Sequence, residues 1–300
     1  MDLILQMQAY IAVAESEGFA AAARRLNMSP PAVTRAIARL EENLGVKLLN
    51  RTTRFVRTTE AGARYLEDAR RILQDIQLAN ESAAGINAEP RGHLAVTAPV
   101  LFGQKYVMPG IIEYLKRYPK TEVDAVFYDR VVNLLEEGLD VGIRIGTLPD
   151  STMRAVPVGT VRLLLVASPA YLTHHGHPES PSDLDAHTLI HSRAGNLGRE
   201  WRFLGNDKPL LYKVKPRLTV TSNDAAIAAA KADFGICRLL SYQVAEDLAE
   251  GHLTSVLEPF EPPALPVHIL HREGRLASGK VRAFIDLMTE TLRANPALNR

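Results

Sequence analysis

The chain of 300 residues holds a single cysteine, Cys237. One thiol excludes an intramolecular disulfide framework, and with it the small secreted scaffolds that depend on such staples; it fits a reducing cytoplasm. Aromatic residues are scarce, 6% of the chain with one tryptophan. The most apolar stretch, residues 94–112, is interrupted by Gly103, Lys105, Pro109 and Gly110, so it is not a membrane span. The basic segment, apolar core and cleavage site of a signal peptide are missing from the N-terminus, and a cytoplasmic location is expected. Net charge is only +1, which taken over the whole chain says nothing about polyanions. No internal repeat or low-complexity tract appears. Nor does a nucleophile elbow, a phosphate loop or a zinc-protease helix, so neither enzymatic activity nor a cofactor is expected.

What is present is a core-forming composition, 46% hydrophobic and 23% charged, spread over a length that calls for two or three domains. The charge is unevenly placed. Residues 20–59 carry Arg24, Arg25, Arg35, Arg39, Lys47, Arg51, Arg54 and Arg57 against Glu41 and Glu42, an excess of six positive charges. Such a local excess is either the footprint of phosphate binding or a solvated basic face.

The local pattern favours the first. Leu3, Met7, Tyr10, Ile11 and Ala14 recur at helical spacing behind a possible Asp2 cap, and Gly18 breaks that helix. A short Ala-rich helix runs over 20–26, and Asn27 suits the left-handed turn that ends it. Ser29 caps a third helix, with Pro30 and Pro31 in the first turn where proline loses no needed hydrogen bond. Val33, Ile37, Leu40 and Leu44 form its buried stripe. Residues 46–57 read as a hairpin with its turn at 52–54. Two short helices joined by Asn27–Met28–Ser29, followed by a hairpin, make a winged helix-turn-helix over 1–58. Its second helix presents Pro30, Pro31, Thr34, Arg35 and Arg39 to the major groove, and Arg51 and Arg54 of the wing meet phosphate or the minor groove. Arg57 is either a third such contact or a surface residue near the linker.

Thr59 caps a long helix whose seam of Leu66, Ala69, Leu73 and Ile76, continued by Asn80, has heptad spacing. Residues 59–89 are therefore expected to be a linker that dimerises through those four apolar residues, ending in a hinge around Pro90. From His93 strands alternate with helices, the signature of an α/β domain over 90–300. Expected helices include 104–118, 131–137, 225–231, 242–250 and 278–293.

The run from Phe19 to Gly62 resembles the DNA-binding region of LysR-type transcriptional regulators. The resemblance is carried by Ala22 and Ala23, Ser29 with Pro31, Ala32 to Arg35, Leu40 and Glu41, Leu44 and Gly45, Leu48 and Leu49, Arg51, and Thr59–Glu60–Ala61–Gly62. Many relatives carry Gln where Pro30 stands, and a Ser or Thr where Ala20 stands. A weaker resemblance continues over most of 91–296, through residues 139–146, Asn223–Asp224 and residues 242–253. It implies an effector domain of two α/β lobes like a periplasmic binding protein: lobe I at 90–161 and 266–300, lobe II at 162–265, crossed near Val161 and Pro266. It also implies a homodimer or homotetramer, a double-stranded DNA operator and RNA polymerase as partners.

In such a domain the ligand lies between the lobes, at strand ends and helix starts. Pro99, Val100 and Phe102 follow the first strand, Thr97 and Thr147 end strands, and the resemblance places Ser192 and Asn223 on the other wall. Arg144 is either a ligand contact or a partner of Asp140 or Asp124. A helix start beside an apolar loop points to a small organic anion with a hydrophobic body. His174, His175 and His177 sit in a loop without a fixed scaffold, so no metal site is expected, and Cys237 falls in an apolar strand. A transport solute-binding protein and an α/β enzyme are the competing readings. The helix-turn-helix and the missing signal peptide oppose the first, and the missing catalytic constellation opposes the second.

Overall fold

The computed structural model describes residues 2–51, 56–83, 89–148, 153–194, 198–205, 209–272 and 278–298. They fall into two compact units, Met1–Ala88 and Glu89–Arg300.

The first unit opens with helices α1 (Leu3–Ser16), α2 (Phe19–Arg25) and α3 (Pro30–Leu44). Asp2 caps α1 through its carboxylate, which accepts from the Ile4 amide at 3.4 Å, and Glu17 ends the helix at φ 49°. Asn27 turns the chain at φ 52°. Pro30 and Pro31 lie in the first turn of α3, and Gly45 closes it at φ 67°. Strands β1 (Leu49–Arg51) and β2 (Val56–Thr58) pair antiparallel; residues 52–55 between them lie outside the described residues. The Thr59 hydroxyl accepts from the Gly62 amide at 2.9 Å and starts α4 (Glu60–Ala83).

Tyr10, Val13, Ala22, Val33, Ile37, Leu40, Leu48 and Val56 form the core of this unit, with Tyr65 and Leu66 of α4 packed on it. Small alanines on α2 bring its backbone close to α1 and α3. Gly62 permits a second close approach. Its carbonyl accepts from the Tyr10 hydroxyl at 2.7 Å, and a Cβ there would fall 2.0 Å from the Leu48 carbonyl oxygen. Leu44, expected in the buried stripe of α3, is instead 43% exposed. The inward place in the last turn belongs to Glu41, whose buried carboxylate accepts from the Leu48 and Leu49 amides at 3.0 and 3.2 Å. The two amides at the entry to β1 need an acceptor in the core, and an apolar side chain cannot supply one.

The second unit runs β3 (Gly92–Ala98), α5 (Val100–Phe102), a π turn (Gly103–Val107), α6 (Met108–Arg117), β4 (Thr121–Phe127), β5 (Val141–Ile145) and β6 (Met153–Val161). It continues through β7 (Leu163–Ala167), α7 (Pro169–His175), β8 (Leu189–Ser192), β9 (Glu200–Leu204), β10 (Pro209–Lys213), β11 (Leu218–Val220) and α8 (Asn223–Lys231). It closes with β12 (Ile236–Leu240), α9 (Ala245–Ala249), β13 (Thr254–Val256), β14 (Leu265–Arg272) and α10 (Gly279–Arg293). Two five-stranded sheets result, ordered β4-β3-β5-β14-β6 and β11-β8-β12-β7-β13. In each, the first three strands are parallel, the fourth runs antiparallel to them, and the fifth pairs antiparallel with the fourth. These are the two lobes. The chain passes from the first to the second at Arg162, between β6 and β7, and returns between β13 and β14.

Lobe I buries Leu94, Val96, Tyr114, Ile143, Ile269 and Phe284 between its sheet and the helices. Lobe II has a core on each sheet face, one around Trp201 and Ile236, the other around Ile190, Ala226 and Cys237. Cys237 is fully buried there, and burial pushes its thiol far up, so it stays protonated. The helix expected over 131–137 is not formed. Residues 134–138 make a turn closed by the Leu139 amide on the Leu134 carbonyl at 2.8 Å. Gly138, at φ 65°, ends it before a second turn can propagate. The histidine cluster also differs from expectation. His174 and His175 belong to the last turn of α7, where His175 stacks on Tyr171 at 4.3 Å. Ser168 caps that short helix on the Tyr171 amide at 3.1 Å. No group of three potential metal ligands comes together among the described residues.

Candidate functional sites

The first unit offers the exposed face of α3. Val33, Ala36, Ile37 and Leu40 point into the core, leaving Pro30, Pro31, Arg35, Ala38 and Arg39 exposed and Thr34 half-buried. The Thr34 hydroxyl donates to the Pro30 carbonyl at 3.0 Å. The cations of the basic segment divide by their partners. Arg25 is held by Glu15 at 2.6 Å, and Lys47 by Glu41 at 2.7 Å. Arg24, Arg35, Arg39 and Arg57 have no acidic partner among the described residues, so their charge is available to an outside anion. The Arg51 backbone lies in β1, but its side chain, like all of Arg54, lies outside the described residues.

Glu15 also binds Arg70 of α4 at 2.8 Å. Burial pushes its carboxyl up, but the Arg70 and Arg25 hydrogen bonds outweigh that and hold it below its ordinary value. Along α4, Leu66 packs on the unit's own core and Ala69 is fully buried within one chain. Two of the four residues expected at a dimer seam are therefore already covered. Leu73 and Ile76 are half-buried, Ile72 beside them is 37% exposed, and Asn80 is exposed.

The second unit contains a cavity of about 140 Å³ between the lobes. Pro99, Tyr128, Asp129, Arg130, Arg144 and Ile145 line it from lobe I; Ala194, Asn223, Leu240, Tyr242 and Gln243 from lobe II. Of the expected residues it brings together Pro99, Arg144 and Asn223. The Arg144 guanidinium donates to the carbonyls of Ile143 at 3.0 Å and Val132 at 3.2 Å, and no carboxylate pairs with it among the described residues. Asp140 instead accepts from the Ala95 amide at 2.9 Å. Burial lowers the proton affinity of Arg144, the Glu137 charge partly opposing it, yet a guanidinium remains charged. Arg130 is spent on Glu137, at 2.7 and 3.0 Å, and its guanidinium lies 4.6 Å over the Tyr128 ring.

Five expected residues are absent from the described lining. Thr97 is wholly buried in β3, its hydroxyl without a partner. The Val100 amide, expected to face an anion, already donates to the Asp129 carboxylate at 3.1 Å. Phe102 packs in the lobe I core, edge-on to Tyr242 at 5.1 Å. Thr147 is exposed, away from the described lining, and the Ser192 hydroxyl accepts from the Ala194 amide at 3.2 Å. Other cavity residues follow the C-terminal ends of β4 and β12, strands expected at 122–128 and 235–239 but not used to place the site: Tyr128, Asp129 and Arg130 after β4, Tyr242 and Gln243 after β12. The strand-end rule, applied to every parallel strand, would have found them.

Two family models match the chain. The bacterial regulatory helix-turn-helix protein, lysR family, covers residues 4–63, and the LysR substrate binding domain covers 87–293. The chain is 33% identical over 295 residues to the HTH-type transcriptional regulator CrgA of Neisseria meningitidis serogroup B, covering 97% of each. It is 32% identical over 292 residues to the HTH-type transcriptional regulator DmlR of Escherichia coli, covering 97% of this chain and 94% of that one. The solved structure of CrgA, a LysR-type transcriptional regulator from Neisseria meningitidis, superposes with a TM-score of 0.63 over 97% of this chain and 99% of that one, at 32% identity.

Proposed function

Because the chain belongs to the LysR family of DNA-binding transcriptional regulators, we propose that α3 reads an operator with Thr34, Arg35 and Arg39 while an anion in the inter-lobe cavity sets its activity. The observation that carries the DNA half is the pair of unpartnered guanidiniums on the exposed face of α3. An exposed arginine one turn from another suits one base contact and one phosphate contact. Arg51 and Arg54 of the wing supply flanking contacts in this reading, and the two-fold symmetry of a dimer presents two copies of α3 to a near-palindromic site. Cytoplasmic DNA is then its place of action, and RNA polymerase its partner at the promoter. Binding of the full chain to a duplex selected from a random pool tests this. Arg35→Ala should lose about 1–3 kcal/mol and relax preference at one position per half-site. Arg39→Ala should weaken all sequences alike and flatten the salt slope. Unchanged affinity in both variants would refute the assignment of α3.

The effector half rests on Arg144, which lines the cavity without a carboxylate partner among the described residues, whereas the other two charged residues of the lining are engaged, Arg130 by Glu137 and Asp129 by the Val100 amide. The Arg144 guanidinium beside Pro99, Ile145, Leu240 and Leu265, with Arg130 already held by Glu137, suits a small organic carboxylate with an apolar body. Thermal-shift screening of metabolites should give such acids as hits, and Arg144→Gln should weaken them roughly tenfold or more, the scale of one hydrogen bond to a charged group. Hits confined to sugars or amines, or an Arg144→Gln protein that binds acids as well as the parent, would reject the anion.

A further inference from the structure

We infer that the first turn of α3 reads the 5-methyl group of a thymine through an apolar patch made by Pro30, Pro31 and the γ-methyl of Thr34, without a hydrogen bond to that base. The inference rests on α3 being the recognition surface. A base edge in the major groove offers donors, acceptors or the thymine methyl, and a protein surface can answer only with the groups it has free. Within residues 30–34 the donors that a thymine oxygen would need are used up or missing, and the Ser29 hydroxyl, just before the helix, makes no cap bond. Pro30 and Pro31 are exposed and have no amide hydrogen. The Ala32 and Val33 amides both donate to the Ser29 carbonyl, at 2.9 and 3.2 Å.

Thr34 could read a base edge with its hydroxyl, but that hydroxyl donates to the Pro30 carbonyl at 3.0 Å. The bond spends the one proton of that hydroxyl, so Thr34 has no donor left for a thymine oxygen, and its γ-methyl is the group this reading assigns to the base. Pro30 and Thr34 stand one turn apart, so the ring and the methyl are neighbours on one face. Beside them Ala38 is small enough to admit a base pair, and Arg35 and Arg39 flank the patch with charge. The result is an apolar contact framed by cations, which suits an A·T pair presenting its methyl and disfavours a position that must be read by hydrogen bonds.

The test removes one methyl at a time. A duplex bound by the full chain is selected from a random pool, then rebuilt with deoxyuridine for thymine at single positions. At one thymine per half-site the change should weaken binding about three- to fivefold, the loss expected for one buried methyl. Thr34→Ser, which keeps the hydroxyl and drops the methyl, should reduce that thymine-to-uracil ratio. Thr34→Val, which keeps a methyl and drops the hydroxyl, should preserve it. Ser29→Ala, removing the nearest other hydroxyl, should leave the ratio unchanged. If no single thymine matters while Arg35→Ala still costs about tenfold, the recognition surface stands and the methyl reading is overturned. If Thr34→Ser and Arg35→Ala both bind like the parent, α3 is not the surface and both readings fall.

Discussion

Glu41 carries more of the first unit than its position on a charged helix suggests. Its carboxylate takes the amides of Leu48 and Leu49 and the ammonium of Lys47. Burial pushes its pKa up, but these three donors outweigh burial and hold it below the ordinary 4.5. A carboxyl depressed in the folded state contributes stability above its unfolded value and loses it as pH falls through the folded one. The contribution should therefore be complete near neutrality and decline below about pH 4.5. Glu41→Ala leaves the Leu48 and Leu49 amides without this acceptor, at a cost on the order of 2 kcal/mol. Hydrogen exchange in the full chain reads this directly. The Leu48 and Leu49 amides should lose protection in the variant while amides of the second unit keep theirs. Equal protection in parent and variant would show that water replaces the carboxylate at no cost.

The helix α4 shows how one periodic stripe serves two purposes. Its first turns give Tyr65 and Leu66 to the core of their own unit, and Ala69 is fully buried. Beyond that point Ile72, Leu73 and Ile76 keep partial exposure. A thin helix has nothing of its own to cover them, and a second copy related by a two-fold axis would. Leu73→Asp should accordingly dissociate the assembly while leaving the secondary structure of the chain intact, because the residue lies past the part of α4 that packs at home. Sedimentation velocity and circular dichroism together decide it. An unchanged sedimentation coefficient would move the contact between copies elsewhere, and a loss of helix would mean that Leu73 is needed within one chain.

Across the second unit, the lobes are joined by more than the two crossing segments. Tyr242 follows a lobe II strand but is buried in the lobe I core, with Phe102 at 5.1 Å and Tyr106 at 5.9 Å. The same side chain lines the inter-lobe cavity. Lys105 and Glu246 add an ion pair across the lobes at 3.1 Å. The two links differ in weight. An exposed ion pair is worth at most about 1 kcal/mol, whereas truncating a large buried side chain costs about 3–5 kcal/mol. Tyr242→Ala should thus uncouple the lobes and Lys105→Met should not. The lone tryptophan, Trp201, sits in the lobe II core, so its fluorescence reports that lobe, while hydrogen exchange of the buried β3 and β5 amides reports lobe I. The two transitions should coincide in the parent and in Lys105→Met and separate in Tyr242→Ala. Coincidence in all three would show that the crossing segments alone couple the lobes.

The amino-acid sequence by itself determined the local elements whose signals are local. Asp2, Asn27, the Pro30–Pro31 pair, Gly45 and Thr59 each act on the backbone within a turn of themselves, so α1 to α4 were legible from spacing and caps. The apolar runs of β3, β5, β7 and β12 were legible because strands buried on both faces need no alternation. What neighbours decide was not legible. Glu41 looks like a solvated acid until β1 brings two amides to it, and Leu44 looks buried until Glu41 takes its place. At the cleft, Val100 looked free to bind an anion because its competitor, Asp129, lies 29 residues away on another strand end. Only the folded arrangement set Arg144 beside carbonyls instead of carboxylates, and only it moved Tyr242 from one lobe into the core of the other. The reason is common to all of these: a side chain's role follows from which partners desolvate and satisfy it, and those partners are chosen by the tertiary fold.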